Sequence, residues 1–246
     1  MNRSLPIKVN HLSPHPMISK ARFKENIQQI KGQERFQFQS ELIPAWFGEA
    51  AVLILFWDEA GTIRVVLTER SSKMRNHKGE VSFPGGRREE GESLGQTAIR
   101  EAGEEIGIDP DKVMLIGRLD DAWSRAAFHL VPFVAWYDGI PDFSANTDEV
   151  AKILSPDIEE LLDENNREEK TVERQGLKFN HTVIKYQESV VFGLTADLLV
   201  EALEQGLGMY TDRGSRRARS LQEALDNRFF AYQQSRGDLP AQSDPV

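Results

Sequence analysis

Residues 86–108 read GRREEGESLGQTAIREAGEEIGI. Ser93 and Gln96 have capping-box spacing, so each side chain can satisfy an orphan N–H at a helix start. Leu94, Ala98, Ala102 and Ile106 recur at i+4 and make an apolar stripe. Gly107 is placed to stop the helix in a left-handed turn. Gly103 inside it costs about 1 kcal/mol relative to Ala. The segment therefore predicts one amphipathic helix between two loops. Glu101, Glu104 and Glu105 lie three and four residues apart and are expected to converge on one side, opposite the apolar stripe.

Outward from this helix the chain alternates short apolar runs with turns. Ala50–Trp57 is an apolar run closed by Asp58-Glu59-Ala60-Gly61. With Thr62–Thr68 it predicts a hairpin. Glu80–Phe83 reads as a strand stopped by Pro84-Gly85-Gly86. Val113–Leu119, Phe128–Tyr137, Glu149–Leu154 and Phe179–Tyr186 read as further strands, the last with a kink at Asn180-His181. Pro156–Leu162, Thr195–Glu204 and Leu221–Gln233 read as helices, and residues 18–32 as one more. Mixed strands with few helices predict an α+β fold around a mixed sheet.

The chain has 246 residues, 39% hydrophobic and 28% charged, with a net charge of −9. An acidic chain argues against nucleic-acid or anionic-membrane partners, which select net basic surfaces. With no cysteine, thiolate metal sites, disulfides and cysteine nucleophiles are excluded. The longest apolar run is far below the roughly 20 residues of a membrane span. No signal-peptide pattern opens the sequence, so a cytoplasmic location is expected.

Three neighbouring carboxylates repel. Two unit charges ~4 Å apart cost about 1 kcal/mol in water and about 4 kcal/mol at an effective dielectric near 20. A divalent cation removes that cost, and an all-oxygen donor set favours Mg²⁺ or Mn²⁺ over Zn²⁺. Arg100 can bridge to Glu104 at i+4 or to Glu92 in the preceding loop and fix their orientation. An isolated acidic cluster is more often a solvated helix face. Here the frame is fixed: Gly86, five residues, Glu92, seven residues, then Arg100-Glu101-Ala102-Gly103-Glu104-Glu105-Ile106-Gly107-Ile108. Chance agreement at its seven polar or glycine positions is roughly 10⁻⁸ per starting position.

This frame resembles the Nudix box, Gx5Ex7REUxEExGU with U aliphatic. The resemblance implies an α/β/α sandwich with a mixed sheet and hydrolysis of a diphosphate linked to another moiety. It also implies a divalent metal, Mg²⁺ or Mn²⁺, held by Glu101 and Glu105, with Glu104 as a third ligand or as the base and the Gly86 carbonyl as a further donor. Glu101, Glu104 and Arg100 are the implied catalytic residues. Glu149 is an additional candidate carboxylate, balanced against a solvated strand end. The Nudix hydrolase domain is expected over residues 41–205, after an N-terminal extension (1–40) and before a C-terminal helix and flexible tail (206–246).

A second motif overlaps the first. Val66-Leu67-Thr68-Glu69-Arg70-Ser71 and Met74-Arg75-Asn76-His77-Lys78-Gly79-Glu80-Val81-Ser82-Phe83-Pro84-Gly85-Gly86 are similar to the signature of coenzyme A-type Nudix hydrolases, LLTxRSxxxRxHxGxVxFPGG. Val66 and Met74 each replace a leucine. The implied reaction splits coenzyme A or its derivatives into adenosine 3′,5′-bisphosphate and 4′-phosphopantetheine or its acyl form. Arg70, Arg75, His77 and Lys78 are the implied substrate contacts, because guanidinium forks suit phosphate oxygens. Alternatives are ADP-ribose, a dinucleotide or a nucleoside triphosphate as substrate, or a non-catalytic nucleotide sensor. The intact Arg100, Glu101, Glu104 and Glu105 count against the sensor. The expected partner is a small nucleoside diphosphate-linked molecule, and a homodimer is compatible with the sequence.

Overall fold

The computed structural model describes residues 19–32, 35, 37, 48–73, 79–123, 128–174 and 177–209. Strand β1 (Gly48–Glu59) is the spine. It turns through Ala60-Gly61 into β2 (Thr62–Val65), where the Asp58 carboxylate accepts the Gly61 N–H at 2.7 Å. On its other edge β1 runs parallel to β8 (Phe128–Tyr137), which pairs antiparallel with β6 (Val113–Arg118) and β7 (Ala122–Trp123). Gly85–Arg87, numbered β5, pairs antiparallel with Ala50–Val52 of β1. One parallel pair among antiparallel ones makes the sheet mixed, as expected.

Two further sheets are antiparallel. One has the order β4-β3-β9, with β3 Leu67–Arg70, β4 Val81–Ser82 and β9 Val150–Leu154. The other runs β10-β11-β12: Arg167–Arg174, Leu177–Tyr186 and Ser189–Phe192. Several expectations need correction. Thr62–Thr68 is not one strand; it breaks at Val66, because Val65 pairs in the first sheet and Leu67 in the second. Pro84-Gly85-Gly86 does not simply end a strand, since Gly85 and Gly86 begin β5 on a new partner. The pairing of β10 with β11 runs unbroken through Asn180-His181, so that strand has no register kink. Strands β10 and β12 are legible only from pairing.

Alternation along β1 sorts its side chains onto two faces. Leu53, Leu55 and Trp57 pack with Ala98, Ala102 and Ile106 of α2 (Leu94–Ile106). Ile54 and Phe56 pack on the opposite face with Phe23 and Ile27 of α1 (Lys20–Gln28) and with Leu198, Leu199, Ala202 and Leu203 of α4 (Gly193–Gly206). A short α3 (Ile158–Leu162) lies between β9 and β10. The result is the expected α/β/α sandwich. The region expected as an N-terminal extension thus supplies part of the second helical layer. Phe23 is fully buried, and Asn26 donates to the Gly206 carbonyl at 2.9 Å. No helix among the described residues is long and apolar enough to cross a membrane. The helix expected at Leu221–Gln233 lies outside the described residues.

Candidate metal and diphosphate site

The site is assembled by α2 and the strand that faces it. Ser93 accepts the Gln96 N–H at 3.3 Å while the Gln96 side chain accepts the Ser93 N–H at 2.8 Å, so the capping box forms as expected. At the other end Gly107 takes φ 69° and donates to the Gly103 carbonyl at 3.0 Å. These caps fix which residues of the helix face β5.

The glutamates do not share one surface. A helix turns 100° per residue, so Glu105, seven residues after Ala98, lies only about 20° from it. Glu105 therefore falls within the apolar stripe, not opposite it, and is 4% exposed. The Gly85 N–H donates to its Oε2 at 3.2 Å. Burial pushes the Glu105 carboxyl up to about 7, against the pull of that N–H and of the Arg70 charge, and with added repulsion from Glu101 and Glu149. Glu101 rests against Gly86: a Cβ there would come within 2.4 Å of its carboxylate, so only glycine leaves the acid its place. Burial raises the Glu101 carboxyl as well, partly countered by Arg100. Glu104 points outward with its side chain 59% exposed and accepts from Arg100 at 3.0 Å.

Arg100 organises the rest. Its Nε and Nη2 donate to the two oxygens of Glu92 at 3.1 and 3.0 Å, and its Nη2 also donates to Glu101 and to the Arg87 carbonyl, each at 3.0 Å. Thr97 donates to Glu92 at 2.8 Å, a contact that the sequence reading missed although the residues lie five apart. The Arg100 guanidinium beside Glu92, helped by the Glu89 N–H, holds the Glu92 carboxyl down at about 2.

Among the remaining candidates, Arg70 is close enough for its charge to act on Glu105. Arg75, His77 and Lys78 lie outside the described residues. Arg64 is bound to Glu59, Lys73 to Asp148 at 3.0 Å, and Arg88 to Glu49. Glu149 belongs to a loop tied to the end of α2: the Asn146 N–H donates to the Glu105 carbonyl at 2.9 Å, and the Ser71 N–H to the Glu149 carbonyl at 2.8 Å. Its charge reaches both Glu101 and Glu105.

Among the described residues no three acidic or histidine side chains form a ready metal cluster. The two inward carboxylates suit a hard divalent cation nonetheless. Glu105 is buried and Glu101 half-buried, their charges repel, and both border the Gly85–Gly86 backbone, whose carbonyls are further oxygen donors.

Residues 48–175 match the NUDIX domain family model. The chain is 34% identical over 195 residues to "Nudix hydrolase 15, mitochondrial" of Arabidopsis thaliana, covering 76% of this chain and 65% of the relative. It is 37% identical over 175 residues to "Nudix hydrolase 22, chloroplastic" of the same plant, covering 67% and 58%. It therefore spans somewhat under two thirds of the length of these curated relatives. The "Uncharacterized Nudix hydrolase NudL" of Yersinia pestis is 30% identical over 142 residues, covering 57% of this chain and 71% of the relative. Among solved structures, a C. elegans Ap4A hydrolase binary complex aligns with a TM-score of 0.40 and 23% identity, over 45% of this chain and 81% of that one. On the domain match, and on a helix that sets Glu101 and Glu105 against Gly85–Gly86, the chain belongs to the Nudix family.

Proposed function

We propose that the chain hydrolyses the diphosphate bond of coenzyme A or a derivative, releasing adenosine 3′,5′-bisphosphate and 4′-phosphopantetheine or its acyl form. The observation that carries the hydrolase reading is the placement of Glu101 and of the buried Glu105 against the Gly85–Gly86 backbone. The coenzyme A reading is supported by the Val66–Gly86 motif, whose Arg70 lies near enough to act on Glu105.

Glu101, Glu105 and the Gly86 carbonyl would hold Mg²⁺ or Mn²⁺. When bound, the cation supplies an activated water and neutralises charge on the diphosphate. Arg100 keeps Glu92, Glu101 and Glu104 in fixed orientation, so that little is left to reorganise during reaction. Glu104, turned to solvent and held by Arg100, would serve as a third metal ligand or as the base that takes the proton of the attacking water. Arg70, with Arg75, His77 and Lys78 from the adjoining segment, binds the phosphates of the nucleotide.

Turnover of coenzyme A, dephospho-coenzyme A, ADP-ribose, NADH and 8-oxo-dGTP with Mg²⁺ tests this reading. Coenzyme A is expected to give the highest kcat/KM, and a clear preference for another substrate overturns the specificity. Glu105→Gln is expected to lower kcat at least a hundredfold. Activity within a few-fold of the unaltered protein would remove Glu105 from the metal site.

A further inference from the structure

Arg87 follows Gly86 directly and occupies the last position of β5. Alternation turns its side chain to the face opposite Gly86 and Glu101. There its guanidinium lies over the ring of Phe128, 4.4 Å from the ring centroid. Phe128 is the register partner of Gly48, and a Cβ at position 48 would come within 2.3 Å of the ring. The glycine is what lets the aromatic lie across the start of β1. Strand β8 carries four aromatics, Phe128, Phe133, Trp136 and Tyr137. The structure separates them: Phe133, Trp136 and Tyr137 pack into the two cores, whereas Phe128 carries an exposed arginine.

We infer that the Arg87–Phe128 pair is a stacking platform for the nucleobase of the substrate. The inference rests on the hydrolase reading, which puts a diphosphate beside Gly86 and Glu101. β5 pairs with β1 on one edge, and on the other its Gly85 N–H and Arg87 carbonyl are taken by Glu105 and Arg100 of α2. A nucleotide whose diphosphate sits beside Gly86 can lay its base on the guanidinium one residue on, where β5 ends. A guanidinium lying over an aromatic ring can offer its other face to a purine, which stacks on such planes without sequence-specific hydrogen bonds. The Arg87 carbonyl accepts from Arg100 at 3.0 Å. The platform and the carboxylate clamp are thereby fixed to one another through a single residue, and replacing the side chain leaves that backbone contact in place.

The test uses the full chain with 1,N⁶-etheno derivatives of coenzyme A and ADP-ribose, whose fluorescence is quenched on stacking. Arg87→Ala is expected to raise KM about tenfold or more with kcat within threefold, and to abolish the quench. Arg87→Lys, which keeps the charge and loses the plane, is expected to recover less than half of the lost affinity. The inhibition constant of inorganic pyrophosphate is expected to stay unchanged in both variants. Unaltered KM and quench in Arg87→Ala would overturn the platform. So would a pyrophosphate constant that rises in step with KM, which makes Arg87 a phosphate contact. If the unaltered protein turns over neither substrate, the hydrolase reading fails by itself, because the quench in direct titration still reads the platform.

Discussion

At the residue scale the strongest organiser is Arg100. One guanidinium donates to Glu92, Glu101, Glu104 and the Arg87 carbonyl, so it ties the helix, the preceding loop and β5 together. Such charge-assisted bonds are stronger than neutral ones and hold carboxylates in place. The pH dependence follows from Glu92. Its carboxyl is depressed from 4.5 to about 2 in the folded state, with the Arg100 hydrogen bond as the largest cause. A depressed carboxyl stabilises the fold above its unfolded value, and that contribution is lost as pH falls from about 4.5 through about 2. Glu92→Gln is therefore expected to lower Tm at pH 7. The gap to the unaltered protein should narrow below pH 4.5 and close near pH 2, as read by thermal melts across that range. A gap that stays constant with pH would show that Glu92 acts through shape and not charge.

At the element scale, α2 is positioned by its two ends. The capping box at Ser93 and the left-handed Gly107 define a helix of thirteen residues. The segment after it returns to donate from Ser144 to the Ile106 carbonyl at 2.9 Å. Gly107 is needed twice over: its φ is 69°, and a Cβ there would come within 2.9 Å of the Ser144 side chain. Gly107→Ala is expected to cost about 1–2 kcal/mol for the left-handed residue, with further loss from that contact. Urea denaturation measures this. Because Ser144 and Asn146 lead directly to Glu149, the same variant is expected to lower activity more than its stability loss explains.

At the scale of the whole molecule, the sandwich depends on α1. Phe23 and Ile27 of α1, with Ile30 just after it, lie in the same core as Ile54 and Phe56 of β1 and the apolar face of α4. Phe23 packs edge-on to Phe56 with ring centroids 5.4 Å apart, and its ring lies against Gly206. Phe23→Ala is expected to destabilise by about 3–5 kcal/mol, the range for removing a buried aromatic. A loss below 1 kcal/mol in urea denaturation would show that α1 is dispensable to the core. The site lies on the other face of the sheet, so kcat at temperatures well below the melt should change little.

Much of this molecule is local information, and that part is legible in the sequence. The capping box, the stripe of Leu94, Ala98, Ala102 and Ile106, the helix stop at Gly107 and the Asp58–Gly61 turn are each decided within a few residues. Their physical causes are hydrogen bonds and φ preferences of near neighbours. The spacing from Gly86 to Ile108 likewise identified the family before any contact was known. Tertiary packing decided the rest. Burial of Glu105 but not Glu104 depends on β5 lying across α2. The break at Val66 depends on two sheets competing for one run of residues. The docking of α1 depends on a helix about 180 residues away in the chain, and the choice of Phe128 among four aromatics depends on Arg87 arriving from another strand. Local pattern fixes what a segment can form, whereas burial and charge are properties of the partner it meets.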